Sequence, residues 1–297
     1  MAMQECRMTR MPASPTGPAS PKAELCCRNT LAISPVMEPL YDLIGSTYAR
    51  SRCADQGIVQ LLAHELQLDP VSAYLDLACG TGSYTMALSA LGGTWSAIDA
   101  SEVMLAQARG KPSSVAWTQS NADSLPFADR AFDGAICTLA IHHFDGLEAP
   151  FAEVFRTLRT GSFVIFTGLA EQMRSYWLLH YFPEMMARAI ANMPSESVIL
   201  KALTRAGFKT ITVTPFFVSN QLQDLFLYSG KHRPALYLEP AVRANMSSFA
   251  RLTSAQELQD GLARLKADLQ SGAFATVKNR FATEMGDYAL ISASLGG

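Results

Sequence analysis

Short apolar runs alternate along the chain with segments whose apolar residues recur every three or four positions. The runs are "AYLDLA" (73–78), "TWSAID" (94–99), "VAWTQS" (115–120), "FDGAICTLA" (132–140) and "GSFVIFT" (161–167). Each is short and bounded by turn residues, as strands buried on both faces are. Helical spacing marks "DQGIVQLLAHELQL" (55–68), "SYTMALSAL" (83–91), "SEVMLAQARG" (101–110) and "LEAPFAEVFRTLR" (147–159). In the third of these, Ser101 is placed to cap the helix and Gly110 to end it. Strands and helices alternating at this spacing predict a parallel sheet with right-handed crossovers.

After residue 168 the rhythm changes. "EQMRSYWLLHYFPEMMARAIANM" (171–193) reads as one long aromatic helix. "SVILKALTRAGFKTITVTPFFV" (197–218) returns to helix then strand, and "GDYALISAS" (286–294) reads as a last strand. Residues 219–280 carry no strand pattern. Within them, 254–272 is amphipathic, with Leu258, Leu262, Leu265 and Leu269 on one face. The expected fold is α/β: a doubly wound, Rossmann-like, seven-stranded, mostly parallel sheet. Helical cap insertions fall at about 170–195 and 219–280, and residues 37–297 form the domain. Residues 1–36 are rich in Pro, Ser and Ala and lack periodicity, which predicts a disordered tail. Its hydroxyls and mild basicity also fit a transit peptide, and Met37 is a second candidate start.

Composition narrows the class. The chain has 297 residues, 49% hydrophobic and 17% charged, enough to bury the core of one large domain. A formal charge of -2 is not the basic footprint of nucleic-acid binding. No apolar run reaches the ~18–20 residues that span a bilayer, so no stable membrane insertion is expected. Six cysteines show no Cys-x-x-Cys pair and no Cys/His spacing. A metal is therefore not expected, and a reducing cytoplasm is.

The chemistry concentrates at "YLDLACGTGSY" (74–84), a strand running into a glycine turn. A phosphate-binding Walker loop needs Gly-Lys-Ser/Thr, and no lysine follows these glycines. A dinucleotide loop needs a third glycine where Thr85 stands. Asp76, before the turn, is a poor neighbour for a pyrophosphate and a good one for a cationic ligand. S-adenosyl-L-methionine carries an ammonium and a sulfonium and no phosphate. The glycines permit close backbone approach to such a ligand, and the helix start near Ser83 offers N–H groups to its carboxylate.

On these residues the chain resembles the class I S-adenosylmethionine-dependent methyltransferases, in particular the ubiquinone/menaquinone C-methyltransferase-like small-molecule group. The resemblance runs over 40–168, and more loosely over 197–216 and 284–294. "LDLACGTGSY" is similar to the family's cofactor loop, "AIDAS" places an acid at the end of the second strand, and "NADSLPF" matches the segment beside the adenine. "FDGAICTLAIHHF" and "EVFRTLRTGSFVIF" match the fourth strand with its exit and the helix before the fifth. The resemblance implies a cofactor site from Asp76, Ala78, Gly80, Thr81, Gly82, Asp99, Ala100, Asn121, Ala122 and Asp123. Asp99 would take the ribose hydroxyls. Tyr41, Tyr48 and Arg52, in a segment like one that folds over the cofactor, join that set. Ala78 stands where many relatives have glycine, and Asn121 where they have aspartate, whose hydrogen bond an amide oxygen can still accept.

His142 and His143, at the exit of the fourth strand, are the candidate catalytic pair, as a base or as holders of the acceptor. The insertions offer Arg174, Trp177, His180, Tyr181, Tyr228, His232 and Tyr237 as an acceptor pocket, where aromatics with polar tips suit a mostly apolar molecule. The implied activity is methyl transfer to a small, partly apolar acceptor. Two alternatives stay open: a methyltransferase acting on RNA or protein, and a protein of this fold that binds the cofactor for other chemistry.

Overall fold

The structure, a computed structural model, describes residues 52–296. The 1–36 tail, Tyr41 and Tyr48 lie outside the described residues. Seven strands occupy the expected runs: β1 (Ala73–Leu77), β2 (Thr94–Asp99), β3 (Ala116–Gln119), β4 (Gly134–Thr138), β5 (Ser162–Thr167), β6 (Thr210–Phe216) and β7 (Tyr288–Ser294). They form one sheet in the order β3-β2-β1-β4-β5-β7-β6. The first five pair in parallel. β7 inserts antiparallel between β5 and β6.

The helices that alternate with strands are α1 (Gln56–Leu66), α2 (Ser83–Ser89), α3 (Glu102–Arg109) and α4 (Glu148–Thr157). Capping matches the sequence signals: Asp55 accepts from Ile58 N, and Ser101 accepts from Met104 N. The sheet separates two cores, which is why its central strands are apolar on both faces. Leu75, Leu77, Ile98, Phe163 and Ile165 belong to one, with Phe151 and Val154 of α4. Tyr74, Trp95, Ile136, Val164 and Phe166 belong to the other, with Ile58, Val59 and Leu62 of α1 and the aromatic residues of the insertions.

One expected element is corrected. Residues 171–193 are three helices, α5 (Ala170–Met173), α6 (Leu178–Tyr181) and α7 (Pro183–Asn192). Pro183 opens α7 and has no N–H to continue the preceding turn, so the chain breaks at Phe182. The rest of the insertions follow α8 (Glu196–Ala206): α9 (Pro240–Ala244), a π-helical turn (Ser248–Leu252), α10 (Ala255–Ser271) and α11 (Phe274–Arg280). The leucine face of α10 packs into the aromatic core, with Leu265 fully buried.

Asp287, just ahead of β7, ties the insertions to the sheet. Its carboxylate takes both bonds of the Lys231 ammonium at 2.7 Å and a third from Val218 N at 2.8 Å. Its carbonyl accepts from the Tyr176 hydroxyl. Asp287 is buried, and Lys231 is nearly so. Removing one partner of such a pair strands the other charge. Asp287→Ala is expected to lower unfolding stability by about 3 kcal/mol or more, and Asp287→Asn, which keeps an acceptor, by less. Chemical denaturation of the three proteins reads the difference; equal stability of Asp287→Ala and the parent contradicts the anchor role.

Candidate active site

β1 ends at a backbone turn that uses three residues with positive φ: Ala78 (58°), Gly80 (56°) and Gly82 (72°). Ala78 holds this conformation without glycine's freedom, at a cost of about 1–2 kcal/mol. The two glycines serve different ends. A Cβ on Gly80 would meet nothing within 4 Å, so the loop presents open backbone there. A Cβ on Gly82 would sit 2.3 Å from the Trp117 ring, so that glycine admits the indole under the loop. Lys111 Nζ donates to the Thr81 carbonyl at 2.9 Å and holds the loop from below α2. Thr81 itself is buried, its hydroxyl 3.4 Å from that of Ser83.

Asp99, at the end of β2, braces the loop. Its Oδ2 accepts from Gly80 N at 2.8 Å and its Oδ1 from Ser101 N at 2.9 Å. A carboxylate oxygen can accept more than one hydrogen bond, the chemistry that paired ligand hydroxyls need. Asn121 and Asp123 are exposed on the rim after β3, with Ala122 half-buried between them, and Ala100 is exposed after β2.

Asp76 is 2% exposed within β1. Its Oδ2 accepts from the Thr85 hydroxyl at 2.5 Å, and its Oδ1 has no hydrogen-bond partner. Thr85 therefore fills the third-glycine position for a reason: its hydroxyl pins the acid. Burial, with a smaller push from Asp99, raises the Asp76 carboxyl to about 7 against the Thr85 bond. Two further orphaned atoms lie at the exit of the neighbouring strand β4, Thr138 Oγ1 and His142 Nδ1.

Beyond β4 the chain turns sharply. Leu139 takes a φ of 56°, held by its N–H bond to the Phe166 carbonyl at 2.7 Å. Strain of this kind in a bulky residue concentrates at functional sites. A short 3₁₀ turn, Ile141–His143, then brings the two histidine rings together, centroids 3.9 Å apart and tilted at 44°. Both line a cavity of about 180 Å³ with Leu139, Gly168, Met173, Met193, Phe226, Met246 and Arg251. His142 is half-buried and His143 is exposed at the cavity mouth, with protein mass around both rings. Burial first, and neighbouring positive charge second, holds His142 well below the usual imidazole range and His143 down to about 4. Both are neutral at physiological pH.

Arg52 lines the same cavity while its guanidinium forks onto Asp224, at 2.5 and 3.1 Å. Asp224 is buried and also accepts from the Tyr84 hydroxyl of α2 at 3.1 Å. One carboxylate thus joins the helix after the glycine loop to the second insertion. Arg52, expected in the cofactor set, has its fork on Asp224.

None of the seven expected acceptor residues lines the cavity. Trp177, Tyr181, Tyr228 and Tyr237 are fully buried in the insertion core. Trp177 meets Tyr181, Tyr237 and Phe274 edge-on, and Tyr228 stacks on Tyr176 at 3.6 Å. His180 packs edge-on against Tyr181, and Arg174 and His232 are exposed. Large aromatic surface at helical spacing is driven first into the core, and it wins here. Asp133 starts β4 at the opposite edge, where it accepts from Ala73 N. Cys79 and Cys137 have thiols that burial pushes up, so they stay protonated. Among the described residues, no group of three or more His, Cys, Asp or Glu is placed to hold a metal ion.

The Asp76 shift has a stability consequence. Unfolded, the carboxyl ionises near 3.8; folded, near 7. Between these values the folded state holds the extra proton, so stability falls as pH rises through this window. Asp76→Asn lacks that slope. It is expected to be more stable than the parent at pH 8, by on the order of 1–3 kcal/mol, with the gap closing towards pH 4. Denaturant melts across pH 4–8 test this; parallel curves contradict it.

A family model described as a methyltransferase domain matches residues 75–166. A crystal structure of a protein named as a methyltransferase from an antibiotic biosynthesis pathway of Anabaena variabilis is 33% identical. That match covers 82% of this chain and 98% of the other, with a TM-score of 0.74. The malonyl-[acyl-carrier protein] O-methyltransferase of Erwinia pyrifoliae is 36% identical over 98 residues, 33% of this chain and 37% of that protein. The demethylmenaquinone methyltransferase of Desulfitobacterium hafniense is 29% identical over 146 residues, 44% of this chain and 57% of that protein. The chain therefore spans well under two thirds of the length of these two curated relatives. Sheet order, glycine loop, acid at the end of β2 and near-complete match to the Anabaena protein agree: the chain belongs to the class I S-adenosylmethionine-dependent methyltransferases.

Proposed function

We propose that the chain holds S-adenosylmethionine over the glycine loop and transfers its methyl group to a small, partly apolar acceptor in the adjoining cavity. The observation that carries this is a set of orphaned atoms on adjacent strands. Asp76 Oδ1 of β1, Thr138 Oγ1 at the end of β4 and His142 Nδ1 just beyond it are buried without hydrogen-bond partners, and His142 lines the cavity. Buried polar atoms without partners are rare, and several on neighbouring strands that lead to the ligand-binding edge of an α/β sheet point to a ligand.

The residues fit the cofactor. Asp76 offers an unshared carboxylate oxygen to a cationic group, Gly80 open backbone, and Asp99 acceptor capacity to paired hydroxyls. Ala78, Thr81, Gly82, Ala100, Asn121, Ala122 and Asp123 complete the proposed rim. A cation beside Asp76 favours its ionised form, so binding near pH 7 is expected to release a proton.

The bound cofactor supplies a methyl group already activated on a sulfonium. What remains for the chain is alignment and exclusion of water. The insertions supply most of the cavity wall, and its mostly apolar character limits solvent around the acceptor. His142 and His143, neutral and weakly basic, orient the acceptor by hydrogen bonds; a base of such low pKa removes only protons that are already acidic. A cavity of about 180 Å³ with a mostly apolar wall supports a small molecule as the acceptor over RNA or protein. Among the described residues, no helix is long and apolar enough to cross a membrane. The proposed setting is the cytoplasm, with a small-molecule partner and no nucleic acid.

Incubation with methyl-labelled S-adenosylmethionine and an extract split into small-molecule, RNA and protein fractions tests the acceptor class. Label is expected in the small-molecule fraction alone. Label in RNA or protein, with none in small molecules, contradicts the reading.

A further inference from the structure

The charge on the cavity wall identifies what enters it. Two lining residues carry a permanent positive charge, Arg52 and Arg251, and no lining residue is a carboxylate. Arg52 is neutralised by its fork onto Asp224. Arg251 has no hydrogen bond or ion pair among the described residues. Its charge reaches His143, whose imidazolium it disfavours. The cavity thus carries one uncompensated cation against a wall that is otherwise neutral.

The backbone that carries Arg251 is held in place, while its side chain is exposed at the cavity it lines. It belongs to the π-helical turn Ser248–Leu252. Arg188 of α7 donates to the Leu252 carbonyl at 2.6 Å, and the Thr253 hydroxyl to the Ser248 carbonyl at 3.3 Å. Phe249 packs edge-on against Phe182 at 5.0 Å and, tilted, against Tyr237 at 5.7 Å. The aromatic core of the insertions therefore fixes the turn that presents the guanidinium. Across the cavity wall, Met173, Met193 and Met246 lie with Leu139, Phe226 and Leu227. Methionine side chains adapt to irregular apolar shapes, so this wall is tolerant of shape while the cation is strict about charge.

We propose that the acceptor is a small apolar monocarboxylic acid whose carboxylate pairs with Arg251 while its body lies against the methionine-rich wall. This rests on reading the cavity as the acceptor site. Arg251 is the specificity-determining residue, because a guanidinium matches a carboxylate in two parallel hydrogen bonds. An uncharged analogue of the same shape forfeits that pairing.

The probes are octanoate against 1-octanol, and 3-phenylpropionate against 3-phenylpropan-1-ol, titrated into S-adenosylhomocysteine-saturated protein by calorimetry. In at least one pair, the acid is expected to bind at least about tenfold tighter than its alcohol. Arg251→Ala should abolish that preference and Arg251→Lys retain part of it, with S-adenosylhomocysteine binding unchanged in both variants. Equal binding of acid and alcohol, no binding of either pair, or a preference that survives Arg251→Ala would overturn the inference. Tighter binding of octyl phosphate than of octanoate would overturn the carboxylate assignment. Failure of the parent to bind S-adenosylhomocysteine is a failure of the methyltransferase reading instead; the same acid–alcohol comparison on the protein alone then decides this inference.

Discussion

A carboxylate buried in a parallel strand needs a partner, and the arrangement around Asp76 follows from that need. Four aspartates are buried among the described residues: Asp55, Asp76, Asp224 and Asp287. Asp55 takes two backbone N–H groups, from Ile58 and Gln223. Asp224 holds Arg52, and Asp287 holds Lys231. Asp76 alone of the four keeps an oxygen with no partner. Burial raises it to about 7, so near neutral pH it stands between its two charge states. A cation delivered by a ligand tips it to the charged one. Unsatisfied groups of this kind persist where a bound ligand relieves them, the role proposed for Asp76.

The other buried acids assemble the enclosure. Asp224 joins Arg52 and Tyr84, so the helix after the glycine loop and the second insertion share one carboxylate. Asp287 joins Lys231, Val218 and Tyr176 ahead of β7, the strand that pairs antiparallel with β5. Through these two acids the insertions are fastened on either side of the β4 and β5 exits. The aromatic stack of Tyr176, Trp177, Tyr228 and Tyr237 then fills the space behind the cavity. Cap and cofactor loop are thereby coupled in one polar and packed network.

Much of the core was legible in the chain. Buried parallel strands write themselves as short apolar runs, and each predicted strand is present, 94–99 with its predicted bounds and others trimmed at one or both ends. Asp99 was legible from its distance to the glycine turn, and its bond to Gly80 N explains that spacing. The cavity was not. Its wall draws residues from 52, 139–143, 168–193, 226–252 and 288, and no local pattern links them. The aromatic stripe at 176–181 is as good a core pattern as a pocket pattern, and burial decided for the core. Thr85 was visible as a missing glycine, but its hydrogen bond to Asp76 exists only once β1 and α2 are placed together. The break at Phe182 was signalled by Pro183, which the helical periodicity on either side outweighed.

The central claim is that the glycine loop, with Asp99 beside it, holds S-adenosylmethionine. Calorimetric titration of the purified chain and of Asp99→Ala with S-adenosylhomocysteine tests it most directly. The account predicts micromolar binding by the parent, weakened roughly tenfold to a hundredfold in the variant, the loss of hydrogen bonds to a charged acceptor. No binding by the parent, or equal binding by both proteins, would contradict it.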